Sequence, residues 1–593
     1  MTGPGRTRFR WRARGRRWWR AFTGYVLEHD IEEGWLIILF AAVIGAGAGF
    51  AIVAFYALVD GVAALSDRLG ALLGFGPGSI GPAFIVVPAG LLLAKWLRAR
   101  VPGDASGEMV PSLMLSAAKS EGELPVRAMA TKLVSAGVTI GSGGSLGAEG
   151  PGAAAGAAIG SGLGQLFRFG PNRMKVLLAC GAAGGISAAF NAPIAGVLFA
   201  LEIVLGTFAV AVMSPVVVAS VMGAVVARSW VGIHPLDVPP GLVFVSAREL
   251  GFYALLGLAC GLLAVVFVRA FYATQDLMRR TLRTGPLAPI VAGLLIASAA
   301  IVSPELLGPG RHGIQLVLAA ELAGFTALAI SLLKILTSGI TMGGGGAGGV
   351  FTPSLFIGAA FGSFFGLTVQ RLFPGLTITP EAYALVGMAS LLAGATFAPL
   401  TAIMMVFELT DDYELILPLM LACVISYLLA RRVNRESIYT ETLARAGEHI
   451  RHGADRSILE TVRVADCYDR DPHVVAEDAP LGAILNRLRG SRQTDFPVVS
   501  PELELVGMLS YRDLSHALGD ADLHELVIAA DLVVPDVETV CPEDTLLEAM
   551  RRMGMRDLDH IPVVDSRDGR RLLGLLSRGA IMEAYQTRLR LQD

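Results

Sequence analysis

The stretch GGSLGAEGPGAAAGAAIGSGLG at residues 143–164 returns 202 residues later as GGAGGVFTPSLFIGAAFGSFFG at 345–366. Gly143, Gly144, Gly147, Pro151, Gly156, Ala157, Ala158, Gly160, Ser161 and Gly164 all meet the same residue type at that offset. A second pair follows: APIAGVLFALE (192–202) overlays APLTAIMMVFE (398–408), now at an offset of 206, as one small insertion requires. Chance matching of glycines does not produce two ordered blocks at nearly one spacing, so the chain carries a duplicated unit.

Working outward, apolar stretches fill residues 35–430 between short polar or glycine-rich breaks. The segments 35–58, 80–97, 209–229, 250–272 and 286–303 are each near the ~20 residues that a bilayer helix needs. Others, at 127–142, 150–167, 174–189 and 352–372, are shorter or rich in glycine and are expected to be broken helices. Broken backbone survives in a membrane only where it is buried in protein or lines a cavity. Matching interruptions in two halves therefore point to a binding site near the midplane.

The bulk numbers agree. Of 593 residues, 53% are hydrophobic and 17% charged, against about 25% charged in a soluble globule. Seventy glycines without a G-x-y period exclude collagen and suit close helix packing in lipid. Residues 1–20 hold eight arginines and no acid, with Trp11, Trp18 and Trp19 between them. Before an apolar span this reads as a positive-inside signal with aromatic anchors, rather than a nucleic-acid arm. His29, Asp30, Glu32 and Glu33 separate the arginines from the apolar run, which argues against a cleaved signal peptide. The five cysteines are scattered, form no C-x-x-C, and read as small buried hydrophobes.

Three glycine-rich loops open into apolar helices and end in proline: SGEMVPS (106–112), GSLGAEGPG (144–152) and GAGGVFTPS (346–354). A helix start leaves N–H groups unpaired and carries about half a positive charge. Such loops hold an anion with backbone donors alone, sparing the membrane a buried cation. Glu149 is the unusual element. On a soluble helix it would be an ordinary first-turn acid, but an acid in an apolar repeat is expensive and marks a working site. A carboxylate can fill an anion site itself and leave when protonated, which couples anion movement to pH.

GSGGSLGAEGP (141–151), AAFNAPIAGVLFALE (188–202), GGGAGGVFTPSLFIGAAFG (344–362), FAPLTAIMMVFELTDDYELILPL (397–419) and SIYTETL (437–443) together resemble the CLC chloride channel and transporter family, over roughly residues 30–445. The resemblance implies an all-α polytopic membrane protein. Its two inverted halves would be built from tilted, partly discontinuous helices, in a homodimer with one pore per subunit. It implies Glu149 as the external gate and proton acceptor, the amides of Val350 and Phe351 on a central anion, and Tyr439 as an inner-gate tyrosine.

Three positions depart from the family pattern. Ala148 stands where an arginine usually precedes the gate. GEMVP (107–111) replaces G-S-G-I-P, so Gly107, Glu108 and Met109 form the first anion loop and Glu108 takes the place of a serine. An ionised Glu108 would repel chloride, so it is protonated, turned away or serving a different ion; as a proton site it would be the second. Ile203 replaces the glutamate that relays protons in coupled members, while Glu202 and its mate Glu408 read as structural acids. The expected activity is chloride transport as a proton antiporter gated through Glu149. A passive chloride channel, or a transporter of fluoride, nitrate or bicarbonate, is the nearest alternative, and a cation channel regulated by the soluble C-terminal tail a remote one.

After residue 430 the composition turns charged. DFPVVSPELELVGMLSYRDL (495–514) and HIPVVDSRDGRRLLGLLSRGAI (560–581) each read as strand, turn, strand and helix start, and resemble an α/β pair of CBS modules. The expected layout is a basic segment 1–34, a membrane domain 35–446, a linker 447–461 and modules at 462–518 and 527–586. The resemblance implies either an adenine-nucleotide site using Ser510, Asp513 and Ser577 or a purely dimerising role. Ala580 occupies the second module's acid position. No nucleophile–base set or H-E-x-x-H supports an enzyme, and neither a metal nor a resident cofactor is expected. Inorganic anions and protons are the expected cargo, and membrane lipid and a second copy the expected partners. Both termini should face the cytoplasm, the membrane being a bacterial inner membrane.

Overall fold

The computed structural model describes residues 33–76, 79–100, 108–231, 249–282, 285–374, 379–448, 459, 462–488, 493–510, 527–534, 537–555, 558–566 and 569–592. The arginine-rich start, Gly107, Asp513 and most of the linker lie outside them. Two compact units divide near Ile450 and Arg451.

The first unit is all helix. It opens with α1 (Glu33–Leu72), α2 (Ala83–Ala99), α3 (Val110–Lys119), α4 (Val126–Gly141), α5 (Glu149–Phe167), α6 (Pro171–Phe190), α7 (Pro193–Leu198) and α8 (Val210–Val231). The second half supplies α9 (Leu250–Leu282), α10 (Leu287–Ala300), α11 (Arg311–Leu318), α12 (Gly324–Gly343), α13 (Phe351–Leu372), α14 (Pro380–Thr396), α15 (Pro399–Thr410), α16 (Ile416–Val433) and α17 (Thr440–Arg445). Among the described residues seven helices are long and apolar enough to cross a bilayer. Many apolar side chains stay on the outside, such as Leu39, Val225, Leu262, Leu294 and Leu428, as a lipid-facing surface requires.

The glycine-rich segments are not broken internally. α4, α5, α6 and α13 each run 16 to 22 residues without interruption, and the breaks fall between helices, at 142–148 and 344–350. Glycine serves packing here. A methyl carbon built on Gly156 would lie 1.9 Å from the Gly181 carbonyl oxygen, and on Gly160 2.1 Å from that of Leu177. Their repeat mates Gly358 and Gly362 stand 2.5 and 2.2 Å from the carbonyls of Gly387 and Tyr383. Only hydrogen on the α-carbon lets α5 approach α6, and α13 approach α14, this closely.

The duplication extends to the backbone. Gly143 and Gly345 adopt φ of 100° and 104°, and Asn191 and Phe397 end α6 and α14 at φ of 55° and 60°. Glu202 and Glu408 cap each other's halves. Glu202 accepts the N–H groups of Leu400 and Thr401 at 3.2 and 2.8 Å, at the start of α15. Glu408 accepts those of Ile194 and Ala195 at 2.9 and 2.7 Å, at the start of α7. Bonds to a charged acceptor contribute about 1.5–3 kcal/mol each, and both caps favour the helix dipole. We expect Glu202→Ala to destabilise the membrane unit by about 2–4 kcal/mol. Glu408→Ala should do the same. A lowered thermal unfolding temperature in detergent checks this; an unchanged one sinks the cap.

Around Glu202 the chain turns π-helical over Phe199–Leu205, the one described place where an apolar helix changes its winding. Cys180, Cys260 and Cys423 are buried as expected, whereas Cys467 and Cys541 are only half-buried.

The second unit is α/β. β1 (Val475–Ala476) pairs parallel to β2 (Asp495–Val499), which pairs antiparallel to β3 (Leu505–Ser510). β4 (His560–Val564) and β5 (Leu572–Ser577) repeat the hairpin, with the register shifting at the same place, Val498/Val499 and Val563/Val564. Small helices at Leu481–Leu488, Ala529–Leu532, Leu546–Met555 and Arg578–Gln592 cover the strands. Asp495 and His560 begin the two equivalent strands and meet, Nδ1 to Oδ2, at 2.8 Å. Partial burial opposes the charge on Asp495, but the His560 and Thr494 hydrogen bonds outweigh it and hold the carboxyl below its usual range. A depressed carboxyl contributes stability above its unfolded value, and that stability is lost as pH falls through the folded value. Asp495→Asn should therefore cost about 0.5–1 kcal/mol at neutral pH. The gap from the natural protein should close below pH ~4. Thermal unfolding across pH reads it, and a gap that persists in acid counts against the pair.

Candidate functional site

The two repeat loops meet back to back. Gly147 N–H donates to the Gly349 carbonyl at 2.7 Å, and Gly349 N–H returns to Gly147 at 2.8 Å. Threonines cross the same seam. Thr139 accepts the N–H of Ala347 at 3.1 Å, and its mate Thr341 accepts that of Ser145 at 3.2 Å. These exchanges satisfy loop donors that would otherwise sit orphaned in a membrane. They also bring the starts of α5 and α13 together.

Glu149 lies over this seam, 3% exposed. The backbone N–H groups of Glu149, Thr352 and Ala148 act electrostatically on its carboxylate, so both helix starts favour its charge. Its Oε2 makes no hydrogen bond among the described residues. A methyl carbon on Gly147 would fall 2.1 Å from that oxygen, and one on Gly349 2.8 Å from it. Glycine at 147 and 349 is what leaves the carboxylate its place. The repeat mate of Glu149 is Phe351, whose ring packs against Phe190 and Phe199 at 5.4 and 6.4 Å. Ala148 offers no charge, but Arg311, at the start of α11, acts electrostatically on Glu149.

Beside the seam is a cavity with room for one water-sized sphere, about 10 Å³. Glu108, Met109, Val350 and Tyr439 line it, with Gly150 and Gly349. Four of the expected anion-site residues thus converge there. Phe351 is buried but does not line it. Lys132 reaches under the first loop, its Nζ 3.4 Å from the Glu108 carbonyl and 3.3 Å from Ser112 Oγ. Its repeat mate Lys334 does likewise, 2.9 and 2.8 Å from the carbonyls of Glu305 and Gly308. The Glu108 side chain meets α9 and α17. It binds Thr442 Oγ1, its Oε2 is 3.4 Å from the Tyr272 hydroxyl, and Gln275 acts on it electrostatically.

A family description of voltage gated chloride channels matches residues 90–431, and one of CBS domains matches 464–520 and 529–587. The H(+)/Cl(-) exchange transporter ClcA of Citrobacter koseri is 32% identical over 426 residues, which is 69% of this chain and 88% of that protein. This chain belongs to the CLC family. A ClcB-like chloride channel protein of Ralstonia nicotianae is 36% identical across 56% of this chain and 78% of its own. A solved cyanobacterial Cl-/H+ antiporter superposes with a TM-score of 0.64 at 26% identity, covering 70% of this chain and 98% of its own.

The CLC chain is thus a multi-pass membrane protein followed by two CBS domains. Sequence reasoning missed Tyr272, Gln275, Thr442 and Arg311. Tyr272 and Gln275 stand three apart within the apolar run of α9, a spacing that shares one helix face, so a search for buried polar pairs would have found them. In the CBS pair, Ser510 and Ser577 close the equivalent strands β3 and β5. Ser577 Oγ accepts the Ala580 N–H at 3.1 Å.

Proposed function

We propose that the protein exchanges chloride for protons across the membrane, with Glu149 as the gate and proton acceptor. The observation that carries this is a buried carboxylate lying against Gly147 and Gly349, where the starts of the two repeat helices meet. An anion would take up the helix-start N–H groups there once the carboxylate left. Val350, Phe351, Tyr439, Gly107 and Met109 are the remaining members of the anion path. Glu108 either holds the second proton or selects an ion other than chloride. The relatives' names support antiport, and Ile203 supports a passive channel.

Full-length protein in liposomes, loaded with chloride and followed by chloride and proton electrodes together, tests the reading. Uphill proton uptake driven by the chloride gradient is the expected result. Chloride efflux without protons would establish a channel; no chloride flux from folded protein would turn attention to fluoride, nitrate and bicarbonate. We place the protein as a homodimer in a bacterial inner membrane with both termini cytoplasmic. At the CBS pair we propose an adenine-nucleotide site at Ser510, Asp513 and Ser577; calorimetry without heat at millimolar ATP, ADP and AMP would leave a dimerising role.

A further inference from the structure

Tyr272 belongs to two cavities. It lines the small one with Glu108, and it also lines a second of about 330 Å³ whose walls are charged: Arg269, Asp276, Arg435, Glu436, Glu441 and Arg445. Arg445 lies 4.6 Å over the Tyr272 ring and is held by Asp276 and Glu441, each at 2.7 Å. Tyr272 therefore lines both a charged vestibule and the small cavity, with its hydroxyl beside the Glu108 carboxyl.

The hydrogen bonds around it can be counted. Tyr272 Oη is 2.6 Å from the Ile438 carbonyl and 2.7 Å from Thr442 Oγ1, and Thr442 Oγ1 is bonded to Glu108 Oε2. Three short contacts need three hydrogens, since each hydrogen serves one of them. The two hydroxyls supply two. With Glu108 ionised, either the Ile438 carbonyl or one oxygen–oxygen contact goes without. With Glu108 protonated, one directional chain satisfies all: Glu108 O–H to Thr442, Thr442 O–H to Tyr272, and Tyr272 O–H to Ile438. Buried polar groups are rarely left unpaired, so this arrangement fits a neutral Glu108. The other charged or titratable groups facing it are Lys132, whose ammonium reaches its backbone carbonyl, Arg279 on α9, and Tyr439 across the cavity. Glu441 and Arg445 act on Tyr272 from α17.

We propose that Glu108 is the second proton-holding group of this transporter, loaded from the charged vestibule through the hydroxyls of Tyr272 and Thr442. The assignment rests on the coupled-transport reading. Loading balances simply. A proton from vestibule water joins Tyr272 Oη as the tyrosine's own hydrogen moves to Thr442 Oγ1 and the threonine's moves to Glu108 Oε2. No hydroxyl ends charged, Glu108 loses its negative charge, and the Tyr272 hydrogen points at Ile438. Release of the Glu108 proton into the anion cavity lets both hydroxyls rotate back. This supplies, from a different helix, the relay that Ile203 does not.

The test is the number of protons taken up per chloride released by full-length protein in liposomes. Glu108→Gln should lower that ratio at least ~tenfold, and Tyr272→Phe and Thr442→Val should each lower it several-fold, as loss of a positioned proton carrier does. The ratio, unlike the flux, does not move when a variant is merely less stable or less abundant. Infrared spectra add a second readout: the band of a protonated carboxyl, present in the natural protein, should be missing in Glu108→Gln. If the natural protein couples and Tyr272→Phe and Thr442→Val couple equally well, this route is wrong while the antiport reading stands. A Glu108→Gln variant that changes anion preference at an unchanged ratio also overturns it. If the natural protein releases chloride and takes up no protons, the antiport reading itself fails. Should Glu108→Gln not yield folded protein, the two hydroxyl variants decide alone.

Discussion

Replacing Glu149 with glutamine should leave chloride efflux running and bring proton uptake down to that of empty liposomes. The carboxamide has nearly the shape of the acid but neither its charge nor its titration. The N–H groups of Glu149, Thr352 and Ala148, from two helix starts, act on the carboxylate, and an uncharged amide competes for them far less well against a chloride ion, since charge-assisted bonds are roughly twice as strong as neutral ones. In the natural protein, acid should neutralise Glu149 and free the helix-start N–H groups, so efflux should rise as pH falls. A single titrating site gives a slope of up to ~tenfold per pH unit. In Glu149→Gln that slope should be flat. Parallel chloride and proton recordings between pH 4.5 and ~7.5, spanning the range where a carboxyl can titrate in a protein, check both halves. Retained proton uptake, or a retained slope, would remove Glu149 from the mechanism.

The other large effect is on the fold. Gly156→Val and Gly358→Val should each abolish a folded membrane unit. A side chain at Gly156 starts 1.9 Å from the Gly181 carbonyl oxygen, and one at Gly358 starts 2.5 Å from that of Gly387. Backbone cannot step aside as a flexible side chain can, so α5 would have to leave α6, or α13 leave α14. Overpacking ordinarily costs about 1–3 kcal/mol, but separating two helices along their glycine seam belongs with the exceptional losses above ~4 kcal/mol. Size-exclusion chromatography in detergent should show aggregate for both variants. Gly47→Val is a suitable control, because a methyl carbon there meets only the ends of the Ile159 side chain, at 3.4 and 3.6 Å. A monodisperse peak for Gly156→Val at the natural yield would contradict the close approach.

The repeat at offset 202 established by itself that the membrane unit is two related halves. Ordered blocks such as GSGGSLGAEGP and SIYTETL placed it among CLC-like chains, and the paired PVV hairpins announced the CBS tail. Those readings succeed because they rest on local signals: hydropathy over ~20 residues, glycine and proline at helix starts, and period-two strands. Glycine was read less well. Sequence counts it as a helix breaker, whereas in lipid the neighbouring helix decides. A carbonyl within 2 Å of the missing side chain makes glycine a packing residue, and the helix continues. The reciprocal caps of Glu202 and Glu408 and the crossed Thr139 and Thr341 bonds join residues nearly two hundred or more positions apart. No periodicity reports which half a side chain reaches into. Glu108 is the clearest case. Sequence could state only that a carboxyl stood where a serine is usual, and that its charge posed a problem. The answer we propose rests on Tyr272 and Thr442, 164 and 334 residues away, which the fold of α9 and α17 delivers to one carboxyl oxygen. A proton's position depends on the hydrogens its neighbours can supply, and only the tertiary structure brings those neighbours together.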